Sequence, residues 1–207
     1  SLPVEKEVII VDDGSSDGMA EILKREDEQH PGHIKVLRHA VNMGKGAALR
    51  TGFREVSGDI VAVQDADLEY DPTELLSLLQ PLLDGEADAV YGSRFLRGER
   101  PEHGSLFVHH MGNKFLTFTT NFLFRVRLTD METCYKVFSA DILQWLNIRQ
   151  NDFSVEPEIT AKLLRRGLRI KELPISYRAR GHDQGKKIKW RDGFIALWAL
   201  LKFRFVS

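Results

Sequence analysis

Asp65 and Asp67 stand one residue apart, directly after the apolar run Ile60-Val61-Ala62-Val63. A buried strand that ends this way delivers both carboxylates to one edge of a sheet. Alternate residues of an extended segment face the same side, so Asp65, Asp67 and Glu69 can converge. Three acidic groups held that close repel one another unless a hard cation lies between them. Mg2+ or Mn2+ suits oxygen ligands and usually keeps positions open for diphosphate oxygens. The pattern points to a nucleotide-diphosphate site. A solvated acidic turn before the helix that Pro72 starts is the other reading of the same residues.

Further groups follow other strands. Asp12-Asp13 closes the run Val8-Ile9-Ile10-Val11. A carboxylate there can accept the imide N–H of uracil or the N1 and N2 hydrogens of guanine. It can equally cap a turn, as Asp and Ser commonly do. Gly44-Lys45-Gly46 opens a helix, a geometry suited to an anion. It lacks the spacing of a Walker A loop, and tight packing through small residues accounts for it equally. Arg94, after a fourth strand, reads as a phosphate or sugar clamp or as one half of an ion pair. Asp130 and Glu156 are candidate general bases for a hydroxyl acceptor. His109 and His110 point in different directions on a helix and are set aside as metal ligands. Basic residues from Arg178 to Arg191 bracket a polar loop, Gly181 to Lys189. Such a loop can close over phosphates, rest on an anionic membrane, or simply be solvated.

The elements that must position these groups alternate. Apolar strands are expected at Glu7–Val11, Ile34–Leu37, Asp59–Val63 and Ala87–Tyr91, and the first is of the kind buried in parallel sheets. Helices are expected at Met19–Gln29, Gly44–Glu55 and Pro72–Leu83. This order implies an α/β fold with parallel neighbours, whose ligands bind at the carboxyl ends of strands. The second half is less regular. Long helices are expected at Ser105–Phe124 and Trp190–Phe205, with shorter ones at Ala140–Leu146 and Glu156–Arg166. A strand is expected at Leu168–Glu172, and Pro174–Arg178 is a candidate for another.

The 207 residues, 43% of them hydrophobic, suffice for one core, and one domain is expected over 1–207. A formal net charge of −1 argues against a nucleic-acid binder. The single Cys134 excludes an internal disulfide and fits a reducing compartment. No stretch reaches the roughly 18 apolar residues of a membrane span, and residues 1 to 15 do not read as a secretory leader. A cytoplasmic chain without a transmembrane span of its own is therefore expected.

Taken in order, these residues resemble family-two inverting glycosyltransferases of GT-A fold, in the dolichol-phosphate mannosyltransferase and polyprenyl-phosphate glycosyltransferase group. The matching segments are Val11 to Gly18, Asn42 to Ala48, Asp65 to Glu69, Gly92-Ser93-Arg94, Asp130 to Lys136 and Gly185-Lys186-Lys187. The resemblance implies a Rossmann-like, mostly parallel sheet with a nucleotide-sugar half (1–100) and an acceptor half (101–207). It implies that Asp12 and Asp13 read the base, with Lys45, Asp65 and Arg94 on the nucleotide sugar. Asp65, Asp67 and Glu69 would hold Mg2+ or Mn2+, and Arg180 and Lys186 the acceptor phosphate. Asp67, Asp130, Arg94 and Arg180 form the expected catalytic set. The chain starts at what resembles the family's second strand, so a Pro-x-Tyr-Asn-Glu type segment is missing from it. The expected reaction moves a hexose from GDP-mannose or UDP-glucose to a polyprenyl or dolichyl phosphate. The lipid would be met through the helices Ser105–Phe124 and Trp190–Phe205 or through a membrane-anchored partner. Transfer to a sugar hydroxyl and a nucleotide-sugar-binding module without turnover are the alternatives.

Overall fold

The computed structural model describes residues 4–97, 105–178 and 190–205. Its short strands are apolar runs joined by helices. β1 (Val8–Asp12) and β2 (Ile34–Arg38) pair in parallel, joined through α1 (Met19–Gln29). A parallel pair needs such a crossover, because a tight turn can only reverse the chain. The register sets Val8 against Ile34 and Asp12 against Arg38, which puts a carboxylate and a guanidinium at one sheet end.

α2 (Lys45–Phe53) leads into a second sheet of order β3-β5-β4-β6, with β3 at Ile60–Ala62, β4 at Ala89–Ser93, β5 at Lys136–Ser139 and β6 at Ile170–Pro174. β5 runs antiparallel to both β3 and β4, while β6 is parallel to β4. Three of these four strands therefore run the same way. The expectation of parallel neighbours holds for β1–β2 and β4–β6 and fails between β3 and β4, where β5 inserts. Burial explains its central place. Val137 and Phe138 of β5 are both fully buried, one packed with Val90 and Leu78, the other with Ala89 and Tyr91. A strand apolar on both faces is stable only between two covered layers.

α3 (Leu75–Leu83), entered by a 3-10 turn at Pro72–Glu74, covers one face through Leu78. α6 (Val155–Arg165) covers the other through Val155, Ile159 and Leu163. Pro157 lies in the first turn of α6, where its missing N–H costs nothing. α4 (Ser105–Phe124) and α7 (Trp190–Phe205) pack against each other, and α7 also packs on α6. α5 (Leu143–Leu146) is a short turn of helix after Ala140–Ile142. Residues 175–178 form no strand; Ile175 N donates to the Ser93 carbonyl at 3.1 Å and Arg178 N to that of Glu69 at 2.9 Å. The carboxyl ends of β1, β3 and β4 carry the chemistry. Among the described residues, no helix is long and apolar enough to cross a membrane.

Candidate active site

At the end of β1, Asp12 is 5% exposed. Its Oδ1 accepts the Ser15 amide at 2.8 Å, and its Oδ2 lies 3.2 Å from Arg38 Nε. Hydrogen bonds from Ser15, then the Arg38 charge, hold this carboxyl below the usual aspartate value. Oδ2 is buried without a hydrogen bond, and Asp12 lines a cleft of about 280 Å³ with Leu23, Lys24, Val36 and Arg38. Asp13 has a different task. It meets His39 Nδ1 at 2.6 Å and accepts the amides of Met43 at 2.9 Å and Gly44 at 2.7 Å. Burial opposes its ionisation, but these three partners outweigh that and keep its pKa low. Asp13 thus ties β1 to the loop before α2.

The start of α2 is not an open anion cradle. Its Gly46 and Ala47 amides both donate to the Asn151 carbonyl, at 2.7 and 3.2 Å. That carbonyl takes up the donors an anion would need. Lys45 instead reaches sideways. Its ammonium is 2.8 Å from Asp65 Oδ2 and 2.8 Å from Glu156 Oε1, while Glu156 Oε2 is paired with Lys136. Burial works against the charge on Lys45, yet Glu156 and then Asp65 raise its pKa well above the lysine norm. Asp65, Lys45, Glu156 and Lys136 form a chain of alternating charge through the sheet end. The Asp65 amide also donates to Cys134 Sγ at 3.1 Å. Burial pushes the Cys134 thiol far up, so it is not a thiolate nucleophile.

The acidic turn departs from its expected geometry. β3 ends at Ala62, and Leu68 has φ 59, so residues 65–69 do not continue the strand's alternation. Asp65 turns to Lys45. Asp67 Oδ1 accepts the Glu69 amide at 3.1 Å. Glu69 Oε2 accepts the Tyr177 hydroxyl at 3.1 Å. Among the described residues, no group of three or more His, Cys, Asp or Glu is placed to hold an ion. As a three-carboxylate cage the set does not fit a metal. Asp65 and Asp67 do supply the hard oxygens suited to an ion whose other positions come from a diphosphate.

At the end of β4, Arg94 and Asp130 are locked together. Arg94 Nε donates to Oδ2 at 2.7 Å, Nη2 to Oδ1 at 2.8 Å, and the Arg94 amide to Oδ2 at 3.0 Å. Asn113 Nδ2 adds a bond at 2.8 Å, and Asp130 is fully buried. Burial alone would raise this carboxyl's pKa; Arg94 overcomes it and holds the value low. The guanidinium also stands 5.2 Å over the Tyr177 ring, linking it to the partner of Glu69. Arg94 is half of a buried ion pair, and Asp130 is too well satisfied to serve as a base. Arg180 and Lys186 lie outside the described residues.

One carboxyl was not singled out by the sequence reading. Burial pushes Glu132 up to about 7, with Glu156 adding to the shift, and its Oε1 is buried without a hydrogen bond. Its signal in the sequence was faint: a lone acid between Met131 and Thr133-Cys134, in a loop where neighbours decide the chemistry.

The family model for glycosyl transferase family 2 matches residues 3–146. The chain belongs to that family. A hexosyltransferase of low-salt glycan biosynthesis from Haloferax volcanii is 31% identical over 96% of this chain and 45% of its own length. A dolichol-phosphate mannosyltransferase from Pyrococcus furiosus is 26% identical over 87% of this chain and 51% of its own. The chain thus spans about half the length of these two relatives, although it covers 80% of an uncharacterised Methanocaldococcus jannaschii protein that is 27% identical. The fold is of the GT-A type. It superposes on glucosyl-3-phosphoglycerate synthase from Mycobacterium tuberculosis, solved with UDP, at a TM-score of 0.70 and 21% identity over 96% of this chain and 69% of that one. The same synthase has been solved with Mn2+, UDP-glucose and phosphoglyceric acid, and superposes at 0.67.

Proposed function

We propose that this family-2 glycosyltransferase moves a hexose, with inversion, from GDP-mannose or UDP-glucose to a polyprenyl phosphate. One observation carries the reading. Both sequence-expected bases are spent on cations, Asp130 on Arg94 and Glu156 on Lys45 and Lys136. A phosphate monoester is already anionic near neutral pH, so a site that orients it needs no base. The mannosyl and formamido-arabinose transferases among the relatives, which carry dolichol-phosphate and undecaprenyl-phosphate in their names, add support. On the donor side, Asp12 is the carboxyl that opens onto a cleft and Asp65 the one at the diphosphate end. Asp65 and Asp67 would hold Mg2+ or Mn2+ between them and the diphosphate, without Glu69. When bound, the ion supplies charge neutralisation of the departing diphosphate.

A second reading rests on Glu132. A carboxyl that titrates near neutrality is suited to general-base work on a sugar hydroxyl. The deciding experiment offers GDP-mannose and UDP-glucose, with Mn2+, to short polyprenyl phosphates and to sugar acceptors. Transfer to the polyprenyl phosphate that survives Glu132→Gln is expected. Transfer only to hydroxyls, abolished by Glu132→Gln, would overturn the proposal. Donor binding by calorimetry without product for any acceptor or water would make the chain a binding module. Full metal-dependent transfer by Asp67→Ala would remove Asp67 from the metal set.

A further inference from the structure

Tyr177 touches both halves of the candidate site. Its hydroxyl donates to Glu69 Oε2 at 3.1 Å, and its ring lies 5.2 Å from the Arg94 guanidinium. Glu69 is bound in turn through its amide to Asp67 Oδ1. The backbone on either side of Tyr177 is tied in the same two directions. Ile175 N donates to the carbonyl of Ser93, the residue before Arg94, and Arg178 N to that of Glu69. Between them, the Ser176 amide and hydroxyl both donate to Glu74 Oε2, at 2.9 and 3.0 Å. Residues 175–178 are therefore a strap laid from the end of β4 to the acidic turn.

The Tyr177 side chain adds what the main chain of the strap does not. Asp130 forks the Nε and Nη2 edge of Arg94. A carboxylate alone lets a guanidinium tilt, whereas an aromatic ring against it fixes its plane as well. The Tyr177 ring and the Phe95 ring, 5.7 Å away, both lie against this one. The Nη1 edge remains, and 17% of the Arg94 side chain is still exposed. Such an edge offers donors to a phosphate oxygen with their orientation already settled. Phenylalanine would serve packing alone, because a half-buried hydroxyl costs free energy unless it finds a partner. Here the partner is the carboxylate of the acidic turn. Burial and then the Glu69 charge push the Tyr177 pKa up to about 12, so the hydroxyl stays a donor near neutral pH.

We infer that Tyr177 is a positioning residue: its ring and its hydroxyl hold the open edge of Arg94 at a fixed spacing from Asp65 and Asp67, so that a phosphate oxygen on the first and an ion on the second are set in register. The inference rests on the transfer proposed above. The phosphate oxygen comes either from the donor diphosphate or from the acceptor monoester, and the test separates the two.

Tyr177→Phe keeps the ring and loses the bond to Glu69; Tyr177→Leu loses both. Binding of GDP and UDP with Mn2+, and of a short polyprenyl phosphate, is measured by calorimetry. Tyr177→Leu should weaken one of these classes about tenfold with an unchanged circular-dichroism spectrum. A weakened nucleotide assigns the Arg94 edge to the donor, and a weakened polyprenyl phosphate assigns it to the acceptor. In an Arg94→Lys background the same substitution should change that affinity by no more than about twofold, because a residue that acts through Arg94 then has nothing to position. In transfer from GDP-mannose or UDP-glucose, kcat per folded molecule should fall about tenfold in Tyr177→Phe and about a hundredfold in Tyr177→Leu, the effect of a misplacement of about 1 Å. Wild-type affinities and kcat in Tyr177→Leu overturn the inference and leave the proposed function standing. Losses equally large in the Arg94→Lys background do the same, since Tyr177 then only packs. A wild type that binds neither nucleotide and transfers nothing removes the proposed function, and this inference with it.

Discussion

At the residue scale, the site is governed by which carboxylates have found a cation. Asp130 has, and Glu132 has no hydrogen bond at its buried oxygen. The consequences for stability have opposite signs. Asp130 is held below the usual 3.8, so it stabilises the fold above that pH and the contribution is lost as pH falls through its lowered value. Asp130→Asn leaves Arg94 buried without its counter-charge and should cost about 3–5 kcal/mol at neutral pH, read by urea unfolding. Glu132 is raised from 4.5 to about 7, so the folded protein holds a proton there that the unfolded chain has released. Stability falls as pH rises through that interval and then levels off, a total cost of about 3 kcal/mol. Glu132→Gln should therefore match the wild type at about pH 4 to 5 and exceed it in unfolding free energy at about pH 8. An unchanged difference across that range would mean that Glu132 finds a partner in solution. The residue types at these positions were legible in the sequence; their pairings were not. Arg94 and Asp130 are 36 residues apart, and Lys45 and Glu156 meet only because α2 and α6 converge on the end of the second sheet.

At the element scale, the sequence was most legible where pattern and punctuation agreed. α1, α4 and α7 have the expected bounds and the five expected strands are displaced by one or two residues, while the central β5 is a strand the sequence did not announce. The acidic turn departs from expectation for a local reason: an apolar run does not announce that its strand stops at Ala62, three residues before Asp65, and Leu68 gives no hint that it will adopt a positive φ. The glycines of Gly44-Lys45-Gly46 were legible as special without revealing why. They admit a backbone, not an anion. Gly44 has φ 94, and a Cβ on Gly46 would lie 2.9 Å from the Gln150 carbonyl carbon, with that carbonyl's oxygen nearer still. Gly46→Ala must therefore push α2 away from residues 150–151, losing about 2–3 kcal/mol by urea unfolding and weakening the hold of Lys45 on Asp65. Gly52→Ala is the control. Its new methyl would meet Val11 Cγ2 at 3.4 Å, and an alanine in the last turn of α2 should leave stability within about 1 kcal/mol of the wild type or above it. Equal losses in the two variants would show that close approach to the Gln150 carbonyl is not what Gly46 provides.

At the scale of the whole molecule, the two sheets are unequally supported. The apolar run Val8–Val11 predicts a first strand buried in a parallel sheet. All five residues of β4 are indeed buried, flanked by β5 and β6. In β1 only Asp12 is, Val8 is 40% exposed, and α1 has no buried residue. Among the described residues, β1 and β2 pair only with each other and reach the rest chiefly through α2. Local opening free energy follows the apolar burial of a unit, so β1, α1 and β2 should open together at a lower cost than the four-stranded sheet. Native-state hydrogen exchange can read this directly. The amides of Ile10 and Val36 should exchange by a sub-global opening with a smaller denaturant dependence than global unfolding, while those of Val90 and Val137 should exchange only on global unfolding. The difference bears on function, because Asp12 and its cleft belong to the weaker unit and the Arg94–Asp130 pair to the stronger. A nucleotide that binds Asp12 should slow exchange in β1 and β2 by the factor 1 + L/Kd, where L is its free concentration, and in β4 by the same factor, because global unfolding also releases it. Matching protection in both sheets without ligand would mean that they open as one, and that donor binding has no loose half to order.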